Sequence, residues 1–131
     1  GHEHILIVED EESFADCLQG VFSLHGYQVH YARDGASALE QIDNSIYPIK
    51  LLISDIMLPS MSGQELAKKL VAKFPDLKVI FITGYDNAVQ ILQDYPHNAL
   101  VLQKPFSVVS ILSKIREVLD NPLPDKKIQL L

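Results

Sequence analysis

Five polar side chains stand where apolar runs end: Glu9 and Asp10 after "ILIV", Asp55 after "LLIS", Thr83 closing "VIFIT" and Lys104 after "LVLQ". Several carboxylates sharing one site repel each other, which raises a pKa unless a cation intervenes. A hard divalent cation with oxygen ligands relieves this, and Mg2+ uses one or two carboxylates, retained waters and substrate phosphate oxygens. A lysine adds fixed positive charge and a threonine a hydroxyl donor. Together they suit the equatorial oxygens of a phosphoryl group in transfer, where positioning and charge compensation carry most of the catalysis. A carboxylate nucleophile that forms an aspartyl phosphate is a covalent solution to such a transfer. Asp55 is central among these groups and is the candidate nucleophile. Its surroundings in "LLISDIMLPSMSG" are otherwise hydrocarbon, a costly place for a carboxylate that nothing pairs with.

These groups meet only if the fold delivers them together. Short β-rich runs at 5–8, 27–32, 51–54, 79–83 and 100–102 alternate with segments of helical period, the signature of βαβ units and a parallel sheet. Four of the runs are continuously apolar, as strands covered on both faces are. "YQVHYA" alternates instead and is expected at a sheet edge. Between them, Phe14, Cys17, Leu18, Val21 and Phe22 form one stripe of a first helix that stops near Gly26. Ala38, Leu39 and Ile42 mark a second helix, opened by Asp34 or Ser37. "SGQE" reads as a capping box, Ser62 with Glu65, leading into Leu66, Leu70 and Phe74. "YDNAVQILQDYP" is a short fourth helix ended by Pro96, and Ile111, Leu112, Ile115, Val118 and Leu119 define a fifth. In an open α/β sheet, ligands bind outside the carboxyl ends of the strands, where all five polar residues stand.

The composition fits a single soluble domain with a proper core. A net charge of −6 argues against nucleic-acid binding, and Lys68, Lys69 and Lys73 read as a solvated helix face. One cysteine excludes an internal disulfide, and no apolar run approaches a membrane span, so a cytoplasmic setting without membrane insertion is expected. Cys17 is assigned to the core. Tyr31, Tyr47, Tyr95 and the five histidines carry no ligand spacing and are taken as structural or bystanders. Residues 1–4 read as a cloning scar and lead-in, 5–120 as the domain, and 121–131, with two prolines and no sustained period, as a tail or linker.

With "ILIVEDEE", "SDIMLPSMSG", "FITG" and "LQKPF" in order, each at the end of an expected strand, the sequence resembles the receiver domains of two-component response regulators and hybrid histidine kinases over about residues 5–119. The resemblance implies a flavodoxin-like (βα)5 three-layer sandwich with strand order 2-1-3-4-5. It implies that Asp55 accepts a phosphoryl group from the phosphohistidine of a histidine kinase or histidine phosphotransfer protein. Asp10, Asp55 and the Met57 backbone carbonyl would hold Mg2+ or Mn2+, with Glu9 acting through a water. Thr83 would swing toward the phosphoryl oxygens, Lys104 would pair with them, and the Lys104–Pro105 bond would be cis. Gly84 would leave the approach open, with Met57 and Tyr85 flanking it. Such a domain catalyses only its own phosphorylation and dephosphorylation. The resemblance also allows a homodimer through the face of the fourth helix, fifth strand and fifth helix. Val101 departs from the family, which usually has Tyr or Phe there as an inward-turning switch. That departure sustains an alternative, a pseudo-receiver that binds partners without being phosphorylated. A flavin binder would want a Ser/Thr/Gly-rich loop where "EDEE" stands. A haloacid-dehalogenase-type phosphatase would want an Asp where Met57 stands.

Overall fold

The computed structural model describes residues 2–84, 88–120 and 128–130. The chain runs β1 (His4–Val8), α1 (Glu12–Leu24), β2 (Gln28–Ala32), α2 (Gly35–Asp43), β3 (Ile49–Asp55), α3 (Gly63–Lys73), β4 (Lys78–Thr83), α4 (Ala88–Ile91), β5 (Ala99–Gln103), α5 (Val108–Asp120) and β6 (Ile128–Leu130). All pairings are parallel, in the order β2-β1-β3-β4-β5-β6. The first five strands have the expected order, with alternating "QVHYA" at one edge. The sixth is new: residues 121–131 were expected to be only a tail or linker, yet 128–130 extend the sheet beyond β5.

Successive strand residues point to opposite faces, and each face buries its own helices. On one side Leu6, Val8, Leu52, Val79, Phe81 and Val101 pack with α2, α3 and α4. On the other Ile5, Ile7, Leu51, Ile53, Ile80 and Leu102 pack with α1 and α5. This three-layer arrangement explains the continuous apolar runs, since both faces of the central strands are covered.

The helix ends follow local chemistry. Gly26 closes α1 at φ 91°, and the Gly26 and Tyr27 amides donate to the Ser23 and Phe22 carbonyls, a Schellman ending. Asp34 is the cap of α2, its carboxylate accepting from the Ser37 amide at 2.8 Å. Ser62 caps α3 by accepting from the Glu65 amide at 3.2 Å.

Three expectations are corrected here. Cys17 is exposed, not core. α1 turns Ala15, Leu18 and Phe22 inward, and with Ala15 included the stripe centres near Leu18, leaving Cys17 about 100° around the helix. The lead-in also belongs to the fold. His4 is the first residue of β1, and Glu3 forms an ion pair at 3.0 Å with Arg116 of α5. His4 and His30, expected to be bystanders, approach at 2.9 Å between ring nitrogens, and the His4 ring stacks on Tyr47.

Candidate functional site

The parallel register brings the ends of β1, β3 and β4 to one edge, because Val8 aligns with Ser54 and Asp55 aligns with Ile82. Thr83, buried as the last residue of β4, aligns with Gln103 of β5, and its carbonyl accepts from the Lys104 amide at 2.7 Å. Lys104 is thereby held one residue past the sheet, at the same edge as Asp55. The Lys104–Pro105 peptide is cis, as expected.

At that edge Glu9, Asp10 and Asp55 each present a carboxylate oxygen, all within 4.8 Å of one another. Burial is graded across them: Glu9 is fully buried, Asp55 partly so, and Asp10 exposed. The Lys104 Nζ donates to Glu9 Oε1 at 2.8 Å and lies 3.7 Å from Asp55 Oδ2. Asp55 Oδ1 accepts from the Met57 amide at 3.3 Å. Burial pushes the Glu9 carboxyl up to about 7, with the Asp55 charge adding to the rise and the Lys104 hydrogen bond and charge opposing it. Burial works against the Lys104 ammonium, but its bond to Glu9 and the charges of Glu9 and Asp55 prevail and hold its pKa above the ordinary lysine value.

Three hard oxygen donors on two backbone segments, one of them open to solvent, suit a divalent cation that keeps part of its water shell. Met57 is more than half exposed. Gly84 is exposed, and a methyl there would meet nothing within 4 Å. Tyr85 lies outside the described residues. Val101 is fully buried in the cluster that contains Phe81 and Tyr95.

Several supporting residues were not foreseen. Phe14 places its ring 4.5 Å from the Lys104 ammonium, a cation–π contact that helps fix it. Tyr31, taken as merely structural, donates its hydroxyl to the Glu9 carbonyl at 2.7 Å. The buried Ser54 hydroxyl donates to the Asp55 carbonyl at 2.8 Å. Gly63 starts α3 directly under the acceptor loop: its amide donates to the Ile56 carbonyl at 2.8 Å, and a methyl there would overlap the Asp55 carbonyl oxygen. Only Gly63 had a readable signal, a glycine just after the Ser62 cap where a side chain would normally be free to stand.

Comparison with known proteins identifies the family. The family model described as "Response regulator receiver domain" matches residues 5–116. The chain is 36% identical over 118 residues to the response regulator receiver protein CpdR of Brucella abortus (strain 2308), covering 89% of this chain and 97% of that protein. It is 33% identical over 125 residues to the sensor kinase CckA of the same organism, covering 92% of this chain but only 13% of the kinase. Among solved structures, it superposes with a TM-score of 0.75 and 28% identity on the response regulator TrrA of Thermotoga maritima in complex with Mg2+-BeF. That match covers 88% of this chain and 97% of TrrA.

Proposed function

Because the chain belongs to the response regulator receiver domain family, we propose that it accepts a phosphoryl group on Asp55 from the phosphohistidine of a histidine kinase or histidine phosphotransfer protein. The observation that carries this reading is the convergence of three carboxylates and one ammonium at a single sheet edge. Asp10, Asp55 and the Met57 carbonyl would hold Mg2+ or Mn2+, which when bound supplies charge neutralisation at the phosphoryl oxygens. Glu9 supports that site from behind, through its buried carboxylate. In the transfer, an Asp55 carboxylate oxygen forms the bond to phosphorus while the bond to the donor imidazole nitrogen breaks, and the imidazole takes up a proton. Lys104 exchanges its contact with Glu9 for the incoming phosphoryl oxygens, offsetting their charge at a site it already borders. Thr83 offers its hydroxyl from the end of β4.

The chain's catalysis is confined to its own phosphorylation and dephosphorylation, and its setting is cytoplasmic; among the described residues no helix is long and apolar enough to cross a membrane. The pseudo-receiver reading draws on one observation, the buried Val101 where an aromatic switch is usual. Incubation with acetyl phosphate or phosphoramidate and Mg2+, read by intact mass beside Asp55→Asn, separates the two. A mass gain in the parent chain that is lost in the variant is expected. A gain that persists in the variant moves the acceptor elsewhere, and no gain in either favours the pseudo-receiver.

A further inference from the structure

β5 reads "ALVLQ", and Ala99, Leu100, Val101 and Leu102 are all buried. A strand this apolar, with no lysine, proline or bulge, makes a hazardous sheet edge, because its free N–H and C=O groups invite another strand. β2, at the opposite edge, has polar residues at alternate positions and is only partly buried. On β5 the hazard is met differently: β6 pairs along it in parallel, Ala99 with Ile128, Leu100 with Gln129 and Val101 with Leu130.

β6 also lies against α4. It therefore touches two elements that adjoin the candidate site. α4 begins five residues after Thr83, and β5 runs into Lys104 three residues after Val101. The Lys104 amide bond to the Thr83 carbonyl ties these two routes together at their origin. A ladder of three residues is short enough to open locally while the rest of the sheet stays closed. Val101, in the middle of β5, is buried and carries no ring to swing.

We propose that the β5 edge is a strand-accepting surface occupied in cis by residues 128–130, and that phosphorylation of Asp55 loosens this strand. The inference rests on the phosphoacceptor reading for its trigger, while the docking itself stands apart from it. When Lys104 turns from Glu9 to a phosphoryl group, the carboxyl end of β5 shifts relative to β4, and the outermost and shortest ladder gives way first. Coupling of this kind is reciprocal, so loss of the strand also changes how readily the site takes its ligand.

Amide hydrogen exchange on the full chain tests both parts. A chain ending at Lys127 and the variant Gln129→Pro, which removes a strand N–H without shortening the chain, should each speed exchange at residues 99–101 by about tenfold or more. Their melting temperatures confirm that the domain still folds. Unchanged exchange at 99–101 in both variants overturns the docking. Beryllofluoride with Mg2+ should protect residues 55–63 and, in the full chain, speed exchange at 99–101. Protection at 55–63 with no change at 99–101 overturns the coupling alone. No response at either place refutes the phosphoacceptor reading and leaves the docking result standing.

Discussion

Lys104→Met isolates the electrostatics of the site. The substitution keeps an alkyl stem over the Phe14 ring and removes the ammonium that sits 2.8 Å from Glu9 Oε1. The Glu9 side chain is 1% exposed and the Lys104 side chain 25%, so the variant leaves a carboxyl that water cannot reach without its partner. With its pKa already pushed up to about 7, Glu9 takes up a proton once the ammonium is gone, and the cost is chiefly the lost charge-assisted hydrogen bond, about 2–3 kcal/mol. For a domain of this size that lowers Tm by roughly 6–9 °C. Glu9→Gln should be cheaper, about 1 kcal/mol, because the ammonium left behind keeps Asp55 at 3.7 Å and reaches solvent. The double variant removes both charges and should cost much less than the sum of the singles, a coupling of about 2 kcal/mol. Urea unfolding of all four proteins in a metal chelator gives the cycle. Equal costs for the two single variants, or additivity within about 0.5 kcal/mol, would refute the view that the buried Glu9 carboxyl is held by Lys104.

Mg2+ at tenfold its Kd should stabilise the folded chain by about 1.4 kcal/mol, and a Tm that does not move across a millimolar titration counts against a formed acidic pocket. Gly63→Ala forces a methyl against the Asp55 carbonyl, so it should cost about 1–3 kcal/mol and slow phosphoryl uptake from acetyl phosphate. Gly20→Ala, on an open stretch of α1, should instead stabilise by about 0.5–1 kcal/mol, and equal effects from the two would remove the steric argument. Glu3 is held below its ordinary pKa, first by its hydrogen bond to Arg116. A carboxyl lowered in the fold contributes stability above its unfolded pKa and loses it as pH falls through the folded value. The deficit of Glu3→Gln, about 0.5 kcal/mol for so exposed a pair, should therefore be present at pH 7 and vanish in acid; a deficit that stays constant with pH would assign it to packing instead.

What the sequence showed and what it hid divide along a physical line. Strand ends are legible because periodicity marks where an apolar run stops, and parallel pairing then places every stop on one edge. This is why the placement of Glu9, Asp10, Asp55, Thr83 and Lys104 at one edge is readable from their positions in the sequence. Contacts between segments leave no such mark. Nothing in "FADC" shows that Phe14 lies beside Lys104, and nothing in "VHYA" shows that the Tyr31 hydroxyl reaches Glu9, because both depend on how α1 and β2 sit relative to β1. Cys17 is exposed for a narrower reason: the buried stripe of α1 includes a small residue, Ala15, and small residues weigh little in hydrophobic patterns while packing closest to a sheet.

β6 illustrates the same limit at the scale of a whole element. "IQL" is too short to carry a period, and the two prolines before it read as the end of structure. What recruits it is the unpaired edge of β5, a demand made by backbone groups far away in sequence. Val101 belongs to that same edge. Valine is β-branched and stiff at χ1, so this fully buried position carries no rotor. Backbone hydrogen bonds run from the Thr83 carbonyl to Lys104, and β5 pairs with its added strand. Substituting Val101→Tyr puts this to work as a test. If the backbone path is the operative one, restoring the ring should leave the response of the β5 edge to beryllofluoride unchanged. If a swinging ring is what the chain lacks, Val101→Tyr should amplify that response, and the loss of the aromatic would then be the feature that defines how this receiver signals.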